Sequence, residues 1–289
     1  MYEDYFGLRE KPFRKTPDPR YLFLNDDYRE ALDRLLFAVE EMEPALLTGE
    51  VGSGKTLLTR ALLDRLDGRY ETAMVLNPRL SPRQLLATVA SELGVAEPRY
   101  QENELLDQIQ ARLLELDGQG RAALLIVDEA HLVPGKATFE EIRLLTNFQL
   151  DDRNLISVVL VGQPELRERL RRPGYRALTQ RLGAQFHLHP MAEADTRAYV
   201  AHRLAVAGGT RTLFSEGALA RLHEAAGGLP RVVNHLATQG LLEAMARGVE
   251  TVDEAALAVV VAGESDLLGT PAPARRSRRG AARAALVGH

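Results

Sequence analysis

Cysteine is absent from the 289 residues of this chain, which excludes disulfides and thiolate metal sites and suits a reducing compartment. Long apolar runs are missing too. The longest candidate, Ala255 to Ala262, falls far short of the ~20 residues that span a bilayer. The first residues, Met1-Tyr2-Glu3-Asp4-Tyr5, lack the basic and apolar regions of a signal peptide. These absences predict a soluble, cytoplasmic protein without a membrane span, with peripheral contact at an inner membrane left open. An excess of positive charge is also lacking, since the formal net charge is −4. Arg275, Arg276, Arg278, Arg279 and Arg283 sit in the last nineteen residues with no acid beside them, leaving −9 for residues 1–270. An acidic body exerts no global attraction on nucleic acid, whereas the tail alone could touch phosphates or an anionic surface. The tail reads as a solvated, disordered end. No metal-ligand array stands out: His187 and His189 alternate along a strand and point to one face, a packing pattern.

What is present is a chain with 45% hydrophobic residues, enough for one sizeable core or a core with a smaller satellite domain. Its organising stretch is Gly49-Glu50-Val51-Gly52-Ser53-Gly54-Lys55-Thr56, followed by Leu57. This matches G-x-x-x-x-G-K-[ST] at every fixed position, after a short apolar strand and before a helical pattern. Glycines let the backbone turn so that successive N–H groups point at phosphate oxygens. A helix starting near Lys55 adds its positive end. Lys55 is expected to reach the β- and γ-phosphates of ATP, and the Thr56 hydroxyl to ligate Mg²⁺.

Along the chain, residues 1–27 are rich in proline and aromatics, which argues against regular helix but supplies apolar surface to lie pinned on a folded body. Tyr28 to Glu43 carries Leu32, Leu35, Leu36 and Val39 at helical spacing and is halted by Pro44. Strands are expected at Ala45 to Thr48, Glu71 to Asn77, Leu124 to Val127, Leu155 to Val161 and Gln185 to Leu188. Helices alternate with them, one opened by the capping box Ser81-Pro82-Arg83-Gln84 and one over Glu102 to Leu116. That alternation calls for a parallel α/β sheet sandwiched by helices. From Pro190 the strand signals stop. Helices are predicted over Ala192 to Val206, Ser215 to Ala226, Pro230 to Arg247 and Asp253 to Ala262, the last with a capping box Thr251-Val252-Asp253-Glu254. The expected domains are therefore a linker and first helix packed on the ATPase core (1–44), the α/β domain (45–190), a small all-α lid (191–262) and the tail (263–289).

Turnover needs a metal-holding carboxylate and a base for water. Asp128 and Glu129 follow the apolar run Leu124 to Val127 at a strand's C-terminal end, where α/β sheets place ligands. Asp128 is expected in the Mg²⁺ shell, and Glu129 to orient or deprotonate the attacking water. Asp128-Glu129-Ala130-His131 also spells a helicase label, without the other helicase signals. Gln163, after a further strand, is expected beside the first and third strand ends, where it could hold the water or feel the γ-phosphate.

The combination resembles an AAA+ ATPase of the general secretion pathway protein A (ExeA-like) family. The residues that carry the resemblance are Tyr5-Phe6-Gly7-Leu8 with Pro12-Phe13, Pro17-Asp18-Pro19-Arg20-Tyr21-Leu22, the phosphate loop, and Asp128-Glu129-Ala130-His131. Glu141 to Asn147, Val161-Gly162-Gln163-Pro164-Glu165-Leu166, Gln180-Arg181, and Gly228-Leu229-Pro230-Arg231 with Asn234 complete the set. The resemblance implies that Gln163 is a sensor, that Arg181 is a finger offered to a neighbouring subunit's γ-phosphate, and that Arg231 senses the phosphates in cis. Arg176 is the rival finger, in a stretch with Arg167, Arg169, Arg171 and Arg172. Tyr5, Phe13 and Pro17 could wall the adenine or simply pack. A finger acting in trans implies a homo-oligomer, a ring or a filament. Secretion members of that family typically continue into a membrane helix and a periplasmic peptidoglycan-binding domain. Residues 1–289 contain neither, so a secretion role is expected to work through a separate protein partner. The functions in view are an ATP-driven assembly factor for a secretion, pilus or envelope machine and, as an alternative, an ATP-dependent DNA-binding regulator like those that select transposition targets.

Overall fold

The computed structural model describes residues 1–14, 18–66 and 68–268. Strands β1 (Ala45–Gly49), β2 (Tyr70–Val75), β3 (Ala122–Val127), β4 (Ile156–Gly162) and β5 (Ala184–Leu188) form one sheet in the order β2-β3-β4-β1-β5. Every pairing is parallel. The inner strands read as unbroken apolar runs because both of their faces are covered. Alternation splits each strand between two cores: Leu124, Ile126, Val159, Val161 and Leu47 face one, while Ala123, Leu125, Val158, Leu160 and Leu46 face the other.

Helices α1 (Tyr2–Phe6) and α2 (Asp26–Glu40) precede the sheet. Then α3 (Lys55–Arg65), α4 (Pro82–Glu92), α5 (Glu102–Gly118), α6 (Lys136–Leu145), α7 (Pro164–Leu170) and α8 (Arg176–Thr179) connect its strands. After it come α9 (Glu193–Val206), α10 (Glu216–Ala226), α11 (Pro230–Ala246) and α12 (Glu254–Leu268). Side chains of α2 and α3 share the first core, and those of α4 to α8 the second. The capping box at Ser81 forms in both directions. No helix among the described residues is long and apolar enough to cross a membrane.

Several local expectations are corrected. Tyr2–Phe6 is a short helix, because the prolines of the N-terminal segment begin only at Pro12. Helix α2 stops at Glu40, before Pro44, where Met42 turns left-handed with φ 54°. Strand β2 ends at Val75, and Leu76 and Asn77 are exposed. Helix α12 is capped by Asp253, whose Oδ1 accepts the Ala256 N–H at 2.7 Å, and not by a box at Thr251. It runs through Leu268, past the expected end at Ala262. The arginines of the tail lie outside the described residues.

The N-terminal segment does not pack on the ATPase core as a whole. Tyr2, Phe6, Leu8 and Phe13 enter the helical core with Tyr199, Leu213, Phe214 and Val233. Arg203 of α9, 4% exposed, fastens them there. Its Nε donates to Pro12 O at 2.6 Å and its Nη1 to the Tyr199 hydroxyl at 2.8 Å. Its guanidinium also lies 4.6 Å from the centre of the Tyr21 ring. These donors satisfy a charge that would otherwise be costly to bury. Helix α2, with Leu22 and Leu24 just before it, joins the sheet. The chain thus enters through the lid and crosses to the α/β core.

The crossing back is equally tight. Met191 N donates to Gly228 O at 3.0 Å. Gly228 has φ +72°, and a Cβ there would lie 2.2 Å from Met191 O. Gly228→Ala is therefore expected to lose about 2–4 kcal/mol of stability in urea unfolding, from left-handed strain and overpacking together. Gly227→Ala, with φ +56° and nothing within 4 Å of the added Cβ, should lose only the backbone share, about 1–2 kcal/mol.

Candidate functional site: a phosphate cradle at the sheet's carboxyl edge

Register places the site. Thr48 pairs with Gly162 and Val127 with Leu160, so the loops leaving β1, β3 and β4 emerge side by side. Because β4 lies between β3 and β1, Gln163 stands where the sequence predicted, between the other two strand exits.

The loop after β1 turns through Gly52 at φ 80° and Gly54 at φ 92°, and α3 begins at Lys55. Side chains at either glycine would collide with neighbours that define the cradle. A Cβ on Gly54 would come 2.8 Å from the Tyr28 hydroxyl, and one on Gly52 would come 2.6 Å from Arg231 Cβ. Tyr28, at the start of α2, donates its hydroxyl to Ser53 O and braces the loop from below. Arg231 N, in the first turn of α11, donates to Gly52 O at 3.2 Å. The lid therefore rests directly on the phosphate loop.

Lys55 is 7% exposed. Its Nζ donates to Gly49 O at 2.8 Å and Glu50 O at 2.9 Å, carbonyls of its own loop. Burial pushes its pKa down, Glu129, Asp128 and Glu50 oppose that shift, and Arg231 adds to it. Asp128 is pushed up by burial and by the Glu129 carboxylate, against Lys55 and His131. Its Oδ1 accepts the Glu129 N–H at 2.8 Å. These mutual effects gather Lys55, Asp128, Glu129 and Arg231 into one electrostatic cluster. Glu129 takes φ 49°, a left-handed conformation that costs a non-glycine residue about 1–3 kcal/mol and that clusters at functional positions. Its Oε2 is buried without a hydrogen-bond partner, and so is Ser53 Oγ beneath the loop. Thr56 is exposed at the second position of α3, with Leu57 half-buried behind it. Positive-φ glycines, a cation turned back on its own loop and an unsatisfied hydroxyl fit an anionic phosphate chain.

Other expected residues lie elsewhere. Arg181 Nη1 donates to Thr146 O at 2.8 Å and to Thr146 Oγ1 at 3.2 Å. Arg176 lines an open groove of about 740 Å³ with Lys136, Glu140 and Gln180, none of which belongs to the phosphate cradle. Among the described residues Arg176 has no side-chain hydrogen bond or ion pair. Arg169 is not on a solvated face: its Nε donates to the Tyr175 hydroxyl at 3.0 Å and its guanidinium lies 4.7 Å from the Phe139 ring centre. Phe13 is lid core, edge-on to Phe214 at 6.2 Å. Tyr5 is 38% exposed beside Phe6, and Pro17 lies outside the described residues. The rings of His187 and His189 meet edge-to-face at 5.2 Å, and no cluster able to hold a metal occurs among the described residues. Sequence reading missed Tyr28 and Arg203, whose partners lie 25 and about 190 positions away.

Sheet order, phosphate loop, acidic strand end and lid together define a P-loop ATPase of the AAA+ class. Residues 40–170 match the family model described as AAA domain. The chain is ExeA-like, 43% identical over 251 residues to general secretion pathway protein A of Aeromonas hydrophila. That match covers 86% of this chain and 46% of the relative, so the chain spans about half of that protein's length. Solved structures share the fold. Drosophila ORC bound to DNA is similar with TM-score 0.66 at 16% identity, over 90% of this chain and 65% of that one. The Aeropyrum pernix ORC2 protein gives TM-score 0.62 at 18% identity, over 88% and 71%. The Thermotoga maritima RuvB Holliday junction branch migration motor gives 0.57 at 16%, over 83% and 69%.

Proposed function

We propose that this chain hydrolyses ATP at interfaces between its own copies and couples the cycle to assembly or remodelling of a secretion, pilus or envelope machine. The observation that carries the reading is the cradle itself: Lys55 Nζ turned onto the carbonyls of Gly49 and Glu50, with Arg231 N on Gly52 O. The relative's name, general secretion pathway protein A, supports the kind of machine. In this reading the loop N–H groups from Gly49 to Leu57 and the Lys55 ammonium bind the phosphates. Thr56 and Asp128 would hold Mg²⁺, which when bound neutralises charge building on the phosphate oxygens. Glu129 orients and deprotonates water, Gln163 fixes that water or the γ-phosphate, and Arg231 reports on the phosphates from the lid. Arg181, whose Nη1 is held by Thr146 and not by a residue of its own cradle, completes the site of a neighbour in this reading. Arg176 is the second candidate, favoured by its free guanidinium. The domain reading that goes with this is an α/β body, 45–190, joined by α2, and a helical lid, 191–262 with its last helix running on to Leu268, shared with the N-terminal residues 1–14.

The direct test is nucleotide titration of Lys55→Ala. Loss of a charge-assisted contact to phosphate should weaken ATP binding by about 10–150-fold, from about 1.5–3 kcal/mol. Unchanged affinity would contradict the assignment of the cradle. A DNA-binding regulator is the second reading, supported by exposed Arg167, Arg171, Arg172 and Arg176 around α7 and α8. ATP-dependent DNA binding that falls steeply with salt would favour it, and its absence would leave the assembly factor.

A further inference from the structure

His131 touches both halves of the hydrolytic machinery. It sits in a short 3-10 turn, Ala130–Leu132, just after Glu129, and its side chain is only 12% exposed. The Gln163 N–H donates to His131 Nδ1 at 3.4 Å. A nitrogen that accepts an N–H must carry its lone pair, so the proton of the neutral ring is on Nε2. Glu129 Oε2 approaches the same Nδ1 at 3.4 Å. Two acceptors cannot bond to each other, which agrees with Glu129 Oε2 being buried and unpartnered. Were Nδ1 protonated instead, it would donate to that carboxylate and orphan the Gln163 N–H. Space is also closed around the turn: a Cβ on Gly162 would lie 3.3 Å from His131 N and 2.7 Å from Leu166 Cδ2.

We propose that His131 is a positioning residue that ties the exit of β4 to Glu129: by accepting the Gln163 N–H it keeps Nδ1 an acceptor, and so leaves Glu129 Oε2 for the attacking water. This rests on the reading of Glu129 as the group that handles water. It links the two residues expected to sense and to act, since any shift of the β4 exit that breaks the Gln163 N–H bond lets the neutral ring switch tautomer, carrying its hydrogen on Nδ1 and bonding the carboxylate. Such outer-shell partners typically change activity about 10–100-fold.

The test uses the full chain with His131→Phe, which fills the space without an acceptor, and His131→Gln, which restores a carbonyl oxygen. Single-turnover hydrolysis, ATP affinity and thermal midpoint are read for each. Phe is expected to lower kcat about 10–100-fold with affinity and midpoint unchanged, and Gln to recover most of the loss. Adding His131→Phe to Glu129→Gln should cost nothing further, because both act on one group. A wild-type rate in His131→Phe overturns the proposal, as does equal loss in Phe and Gln accompanied by weaker binding. Glu129→Gln alone separates the two levels. If it stops hydrolysis while His131→Phe does not, only the role of His131 is wrong; if it hydrolyses normally, both fall.

Discussion

Glu129→Gln is expected to bind ATP as the parent chain does and to hydrolyse it about 10²–10⁴-fold more slowly, the span typical of a lost general base. The change is isosteric and keeps the left-handed backbone at φ 49° under the same constraints. It removes a carboxylate oxygen that accepts no hydrogen bond and lies 3.4 Å from His131 Nδ1, itself an acceptor, so folding has no hydrogen bond to lose. It also removes the carboxylate charge that pushes the neighbouring Asp128 carboxyl up, so Asp128 becomes more readily ionised, the form its proposed Mg²⁺ role requires. Affinity measured by titration and rate measured in single turnover should therefore part company. A parallel fall in both would mean that Glu129 holds nucleotide and does not act on water.

Arg181→Ala is expected to cost about 10³–10⁵-fold in hydrolysis if it is the finger, with binding retained. Its guanidinium uses Nη1 for Thr146, and Nε and Nη2 of this exposed residue have no acceptor among the described residues. Because the loss is in trans, mixing matters. In an equal mixture with Glu129→Gln, about a quarter of head-to-tail interfaces pair an intact Glu129 with an intact Arg181, and activity should return to that extent. Arg176→Ala taken through the same mixing decides between the two arginines. If neither complements in co-assembled protein, neither is a finger.

The parts of the site that were legible in the sequence are those made by neighbours in the chain. The loop from Gly49 to Thr56 needs its glycines in a fixed order, and Asp128-Glu129 follow an apolar strand directly, so spacing alone locates them. Gln163 lies between two other strand exits because β4 sits between β3 and β1, an order that parallel pairing alone does not fix. What stayed hidden depends on distant partners. Arg169 and Arg203 look like ordinary surface charges until Phe139, Tyr175 and the carbonyl of Pro12 meet them in space. The aromatic N-terminal segment signals burial but carries nothing to say that its host is the lid. The capping box expected at Thr251 gave way to Asp253, whose Oδ1 lies where the Ala256 N–H needs an acceptor. Tyr28 reads as one more apolar residue of an amphipathic helix, whereas its hydroxyl reaches Ser53 O.

The measurement that bears most directly on a site shared between copies is ATP hydrolysis per subunit as a function of protein concentration, at saturating ATP and Mg²⁺. A rise from near zero at high dilution to a plateau, tracking the appearance of oligomer, is the predicted result. A rate per subunit that stays constant down to isolated monomers would contradict it.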